Sequence, residues 1–208
     1  MGSFLRDVRS AGWSADAPTA VLLLHGFGSH EHDLPGLLPA LDLTMPWASL
    51  RAPFELDNGG AAWFDFTGSM QADGLTAAAA TEAIWAWVDA NLDAASRIVP
   101  LGFSQGGAMA TQLLRTRPER VVAPVVLAGF VLDAQQPGDA VLAAERPPVF
   151  WGRGSIDQVI APAAVDLTRE WLAGHATVTA RVYQGLAHGV NAAEAADVRS
   201  FLATHVPR

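Results

Sequence analysis

The sequence contains no cysteine, and all 13 of its basic residues are arginine, so lysine is absent as well. Tyrosine occurs once, as Tyr183. These gaps remove whole classes of chemistry. Without Cys there is no thiolate nucleophile, disulfide, iron–sulfur cluster or Cys-ligated zinc. Without Lys there is no Schiff base, Ser–Lys dyad or P-loop lysine. Covalent catalysis by this chain has to run through Ser, Thr, Asp, Glu, His or Tyr183. Positive charge is scarce too. The net charge of −8 is the wrong sign for phosphate backbones or anionic lipid, which argues against a nucleic-acid partner.

Half of the residues are hydrophobic and only 16% are charged, the composition of a compact globule rather than a disordered chain. A length of 208 residues suits one domain over the whole of 1–208. The longest apolar run, about 121–132, is interrupted by Pro124 and Gly129 and is too short to span a bilayer, so stable membrane insertion is not expected. The first ten residues carry Arg6, Asp7 and Arg9 in place of an apolar h-region. The expectation is a cytoplasmic protein without a signal peptide.

Short apolar runs of β character alternate with segments of helical period, as buried parallel strands with crossover helices do. The strand candidates are 20–25, 48–51, 98–101, 122–127, 149–151 and 177–183. The helix candidates are 33–41, 73–92, 105–115, 162–173 and 191–204. In the Ala-rich segment 73–92, Ile84, Trp85 and Val88 share one face, which should lie on a sheet. This pattern predicts an α/β fold with a mainly parallel central sheet flanked by helices. Ligands of such sheets sit beyond the carboxyl ends of the strands, so the residues following each run are where function should be sought.

Gly102-Phe103-Ser104-Gln105-Gly106 follows one of these runs and opens a helix. In that context a G-x-S-x-G sequence places its serine on a sharp, strained strand-to-helix turn, above the positive end of the helix. A serine hydroxyl needs a base to take its proton. In this arrangement the chain order is serine, acid, histidine. His188 follows the last strand and precedes the last helix, where the base belongs. The other histidines are less well placed: His25 ends a strand and is suited to ordering the adjoining loop, His30 and His32 open a helix, His175 closes one, and His205 is near the C-terminus.

The acid must orient His188 and fix its tautomer. Asp157, in the turn after the penultimate strand, is favoured; Asp133, after the preceding strand, is its rival because either strand end can supply the acid. Asp166 falls on a helix and is a weaker candidate. The developing oxyanion needs two backbone N–H donors. Gln105, after the nucleophile, and Phe27, in the loop His25-Gly26-Phe27-Gly28, are the candidates, with Gly26 letting backbone approach the substrate.

With these residues assembled, the chain resembles the carboxylesterase/phospholipase family of α/β-hydrolases, which includes the acyl-protein thioesterases. The resemblance covers about 20–205. Its landmarks are Leu24-His25-Gly26-Phe27-Gly28, Leu50-Arg51-Ala52-Pro53, Trp63-Phe64-Asp65, Gly102-Phe103-Ser104-Gln105-Gly106-Gly107, the turn with Asp157, and Gly185 to His188. The resemblance implies an α/β-hydrolase fold, a Ser104/Asp157/His188 triad, oxyanion donors at Phe27 and Gln105, no metal or organic cofactor, and hydrolysis of carboxylic esters. Family members often carry a more polar pair before the acid, and Ile156 departs from that pattern.

Two spacings bear on the substrate. Between Gly129 and Pro147 there is no room for a folded cap domain, so any lid is slight. The connection 53–72 is long, and long connections are usually functional. Its Trp63, Phe64 and Phe66 are expected to wall an acyl or alcohol pocket suited to short or medium esters; the alternative use of these rings is to pin the loop to the core. Thioester, lysophospholipid and lactone substrates would use the same machinery. Two readings from other classes are a metal hydrolase on His30-Glu31-His32-Asp33, which lacks a third ligand, and a silent member of the fold that binds a hydrophobic ligand. The aromatic content is also compatible with a homodimer.

Overall fold

Apolar runs without polar alternation require cover on both faces, and a central sheet supplies it. In the computed structural model, which describes residues 5–67 and 72–206, the strands are β1 (Asp7–Arg9), β2 (Thr19–Leu24), β3 (Trp47–Leu50), β4 (Phe54–Glu55), β5 (Ala61–Ala62), β6 (Arg97–Phe103), β7 (Val125–Leu127), β8 (Pro148–Gly154) and β9 (Thr177–Tyr183). Seven of them form one sheet in the order β1-β3-β2-β6-β7-β8-β9, and β4 pairs with β5. All pairings in the large sheet are parallel except that of β1 with β3. Leu24 lies beside Gly102, Phe103 beside Leu127, and Leu127 beside Gly152. The carboxyl ends of β2, β6, β7 and β8 therefore reach one edge together, and the loops that follow them share a cleft.

The helices are α1 (Leu38–Leu41), α2 (Gly74–Asn91), α3 (Gln105–Thr116), α4 (Asp139–Glu145), α5 (Pro162–His175) and α6 (Ala192–His205). Asp73 starts α2 by accepting the N–H groups of Leu75 and Thr76, and Asn191 starts α6 by accepting that of Glu194. The period of two along β2 divides the core: Leu22 and Leu24 pack under α2 and α3 with Trp85, Ile84 and Met109, while Val21 and Leu23 pack with Phe201, Val198 and Leu41 on the other face. No helix among the described residues is long and apolar enough to cross a membrane.

Three differences from the expected elements have physical causes. The helix expected over 33–41 is a 3-10 turn, Leu34–Leu37, joined to the single turn α1. Pro35, Gly36 and Pro39 deny it a continuous hydrogen-bond ladder. The strand expected over 122–127 contracts to β7 because Ala123 adopts φ 45° and Pro124 donates no hydrogen bond. Three short elements, β1, the β4–β5 pair and α4, carry too few residues to show a period. The connection from β7 to β8 holds only the seven-residue α4.

Candidate active site

The site is built around the turn from β6 into α3. Ser104 has φ 55° and ψ −116°, a conformation a side-chain-bearing residue adopts only under constraint. The constraint comes from close backbone packing. A Cβ on Gly106 would lie 1.9 Å from the Leu24 carbonyl oxygen, and one on Gly102 2.0 Å from that of Gly106. Only glycine allows β2, β6 and the start of α3 to approach this closely, and the result is a serine raised at the sheet edge.

Two loops meet Ser104 from the far side of the sheet. The turn after β8 and the loop after β9 are tied together by Ile156 N–H to the Leu186 carbonyl, 3.1 Å, and Gly185 N–H to Ser155 Oγ, 2.9 Å. This brings His188 Nε2 to 2.9 Å from Ser104 Oγ and His188 Nδ1 to 2.8 Å from Asp157 Oδ2. Asp157 Oδ1 accepts two further bonds, from Val159 N–H at 2.8 Å and Ile160 N–H at 3.2 Å. Burial opposes the negative charge on Asp157, but the bond from His188 and the two amides outweigh it, and its pKa lies below the usual carboxylate value. An ionised Asp157 leaves His188 protonated at Nδ1 and its Nε2 free to take the serine proton. The Phe103 ring, 4.9 Å from the imidazole, packs against it.

The loop after β2 closes the other side. Gly26 backs onto the nucleophile: a Cβ there would lie 3.6 Å from Ser104 Cβ and 3.1 Å from the Phe103 ring. The Gly28 amide donates to the Ala61 carbonyl and the Ala61 amide to the Ser29 carbonyl, both at 2.9 Å, so β5 holds this loop. Gln105 opens α3, and the first amides of a helix have no intrahelical acceptor. Its side chain bridges to the same segment, Oε1 accepting from Trp63 N–H at 2.7 Å and Nε2 donating to the Phe64 carbonyl at 2.6 Å. The Phe27 and Gln105 amides thus lie on segments locked to one another on either side of Ser104.

The aromatic residues expected to wall the pocket divide. Trp63 and Phe64 are both 0% exposed, which corrects their assignment as lining residues. The Trp63 indole N–H donates to the His25 carbonyl at 2.9 Å, so these rings pin the 53–67 segment to the core. Phe66 is partly exposed and sits 5.8 Å from the ring of Phe27, which is 52% exposed. Residues 68–71 of the expected 53–72 wall lie outside the described residues. A ring missed by the sequence reading completes the row: Phe130 meets Phe64 at 6.4 Å and borders a groove of about 760 Å³ between α2, α3 and the start of α5. Its position in the loop that follows β7, three residues beyond Leu127, was the available signal.

The rival residues fall elsewhere. Asp133 is exposed at the rim of that groove, and Asp166 pairs with Arg169 on α5 at 2.6 Å. In the stretch 30–33, Glu31 pairs with Arg51 at 3.1 Å and Asp33 accepts from Ser29 Oγ at 2.7 Å, so both carboxylates serve the loop. Among the described residues no group of three or more His, Asp or Glu stands ready for a metal ion.

Comparison with known proteins agrees with this architecture. A carboxylesterase of Bacillus cereus superposes with a TM-score of 0.81 at 22% identity, covering 97% of this chain and 95% of that one. SOBER1 of Arabidopsis thaliana gives 0.71 at 22% identity, with 89% and 98% covered. A carboxylesterase of Mesorhizobium loti gives 0.73 at 23% identity, with 91% and 90% covered. At these identities the likeness is one of fold, and the fold is that of the α/β-hydrolases. Residues 13–206 match the Phospholipase/Carboxylesterase family model, and the chain belongs to that family.

Proposed function

We propose that this protein hydrolyses carboxylic esters of short to medium acyl chain through an acyl-Ser104 intermediate. The observation that carries the reading is the unbroken relay Ser104 Oγ–His188–Asp157, with links of 2.9 and 2.8 Å, on a strained elbow. In the first step Ser104 Oγ bonds to the ester carbonyl carbon while His188 Nε2 takes its proton. The alcohol leaves with that proton, and His188 then draws a proton from water, whose oxygen attacks the acyl carbon and releases the acid and Ser104. The amides of Phe27 and Gln105 receive the oxyanion in both steps. The exposed ring of Phe27 and the partly exposed ring of Phe66 offer the acyl group an apolar edge. Ring contacts through Phe64 lead from them to Phe130 and its groove of about 760 Å³, which is lined by neither Ser104 nor His188 and would receive only the far end of a chain.

Two experiments test this. A fluorophosphonate should label Ser104 and no other residue, and Ser104→Ala should abolish both labelling and ester turnover. Labelling elsewhere, or an Ala variant retaining full activity, rejects the assignment.

A further inference from the structure

His25 is a buried, hydrogen-bonded histidine that the relay does not use. It is 0% exposed, and both ring nitrogens are engaged. Nε2 lies 3.1 Å from the Ala52 amide nitrogen, a group that can only donate, so Nε2 carries no proton. The proton is therefore on Nδ1, which donates to the Gly26 carbonyl at 2.7 Å. Burial lowers the imidazole pKa against the opposing effect of that carbonyl; Arg51 also lowers it, and Asp33 and Glu31 raise it. The neutral tautomer is the one the site holds.

The consequence follows from the planarity of the next peptide. Gly26 C=O and Phe27 N–H belong to one trans amide and point in opposite directions, so fixing the oxygen aims the hydrogen. The Ser29 amide also reaches the Gly26 oxygen, but at 3.2 Å, as part of the loop's own turn. The His25 bond is the shorter and comes from the rigid end of β2. The backbone carbonyl of His25 is in turn held by the Trp63 indole, whose amide is clamped by the Gln105 side chain.

We infer that His25 is a positioning residue for the oxyanion hole: by clamping the Gly26 carbonyl through Nδ1–H, it aims the Phe27 amide at the oxygen that becomes charged. The inference rests on the acyl-Ser104 reading. It also assigns separate jobs to the two ring nitrogens, which two substitutions can divide. In His25→Asn the amide nitrogen takes the place of Nδ1 and keeps the bond to Gly26, while the Ala52 amide loses its acceptor. In His25→Gln the amide oxygen takes the place of Nε2 and keeps Ala52, while Gly26 loses its donor.

Each variant sacrifices one buried hydrogen bond, so a merely structural role predicts similar losses in both. The expected result is that His25→Gln lowers kcat by about 10- to 100-fold with KM little changed, because a misaimed donor is felt only in the transition state. His25→Asn should retain kcat to within about threefold. Equal losses in the two variants, or losses confined to KM, overturn the inference. If neither variant folds, ¹⁵N spectra of the wild-type imidazoles decide it: Nδ1–H with a bare Nε2 at His25 is required, and the opposite tautomer or a doubly protonated ring overturns it. Fluorophosphonate labelling of the wild type separates the two levels, since its failure at Ser104 rejects the acyl-serine reading itself, whereas intact labelling with indistinguishable variants rejects only the role of His25.

Discussion

Glu194 offers the sharpest quantitative test of how this fold handles charge. It sits in the first turn of α6 at 0% exposure, and among the described residues neither carboxylate oxygen has a hydrogen-bond partner. It occupies this place because Gly152 has no side chain: a Cβ there would lie 2.0 Å from Glu194 Oε1. Burial, followed by the negative charge of Asp197, pushes its pKa up from 4.5 to about 7. The unfolded chain gives up this proton near 4.5 and the folded chain only near 7. Between those values the folded state binds more protons, so the group costs stability as pH rises, and the cost is complete above about 7. At 1.36 kcal/mol per unit, the full effect is about 3 kcal/mol.

Glu194→Gln keeps the shape and removes the titration. Any fixed penalty from the new amide is the same at every pH, so the informative quantity is the change in the variant-minus-wild-type difference. Urea unfolding at pH 5 and pH 8 should show that difference moving in favour of the variant by about 2–3 kcal/mol, a shift of roughly 4–12 °C in Tm for a domain of this size. Parallel stability profiles from pH 5 to 8 would refute the reasoning, because they would mean the folded carboxyl ionises as easily as the unfolded one.

Other consequences concern the site and its wall. Asp157→Asn should lower kcat by about 10³–10⁴-fold with the fold intact, since the amide favours the wrong tautomer of His188; steady-state kinetics beside circular dichroism check this, and an equal loss on replacing Asp133 would count against the assignment. Trp63→Ala should cost about 3–5 kcal/mol in urea denaturation through loss of a fully buried ring and its bond to His25, without shifting the acyl-chain preference of whatever fraction stays folded. Ala164→Phe narrows the groove beside Phe130 and should shorten the preferred acyl chain, with kcat/KM falling about fourfold for each methylene no longer accommodated. An unchanged chain-length profile would remove the groove from substrate binding.

The residues that could be placed from sequence are those whose local pattern carries its own geometry. β9 has the bounds its β-branched residues indicate, and the turn at Ser104 follows from glycines that nothing larger can replace. Patterns that report burial without direction misled. Trp63 and Phe64 looked like a pocket wall because large rings in a long loop must bury themselves somewhere, and the sequence does not say that the Gln105 side chain would draw that loop onto α3. The segment 33–41 showed helical hydrophobic spacing, yet its two prolines limited it to single turns. β1 is three residues long and is defined by its partner β3 rather than by its own sequence. Phe130 was visible as part of the loop that follows a strand, but its neighbours in the groove come from three helices and meet only in the fold.

Two carboxylates on neighbouring elements show how environment, more than residue type, assigns chemical roles. Asp157 and Glu194 are both removed from solvent near the end of β8. Asp157 accepts three hydrogen bonds, one from His188 and two from backbone amides, and these hold it ionised despite burial. Glu194 accepts none among the described residues and faces another carboxylate, Asp197, which is occupied by the Tyr183 hydroxyl at 2.9 Å. Only the first can fix the tautomer of a histidine and stabilise it once charged. A carboxyl kept neutral to about pH 7 supplies no such charge, however close it lies in sequence to His188. This contrast, in which the Val159 and Ile160 amides add to the His188 bond in keeping Asp157 ionised while Glu194 has no such support among the described residues, favours Asp157 over Glu194 for the proposed relay. It also predicts that Glu194→Gln, for all its effect on stability, leaves kcat at pH 8 close to that of the wild type; a large fall in kcat with the relay residues untouched would contradict the division of roles.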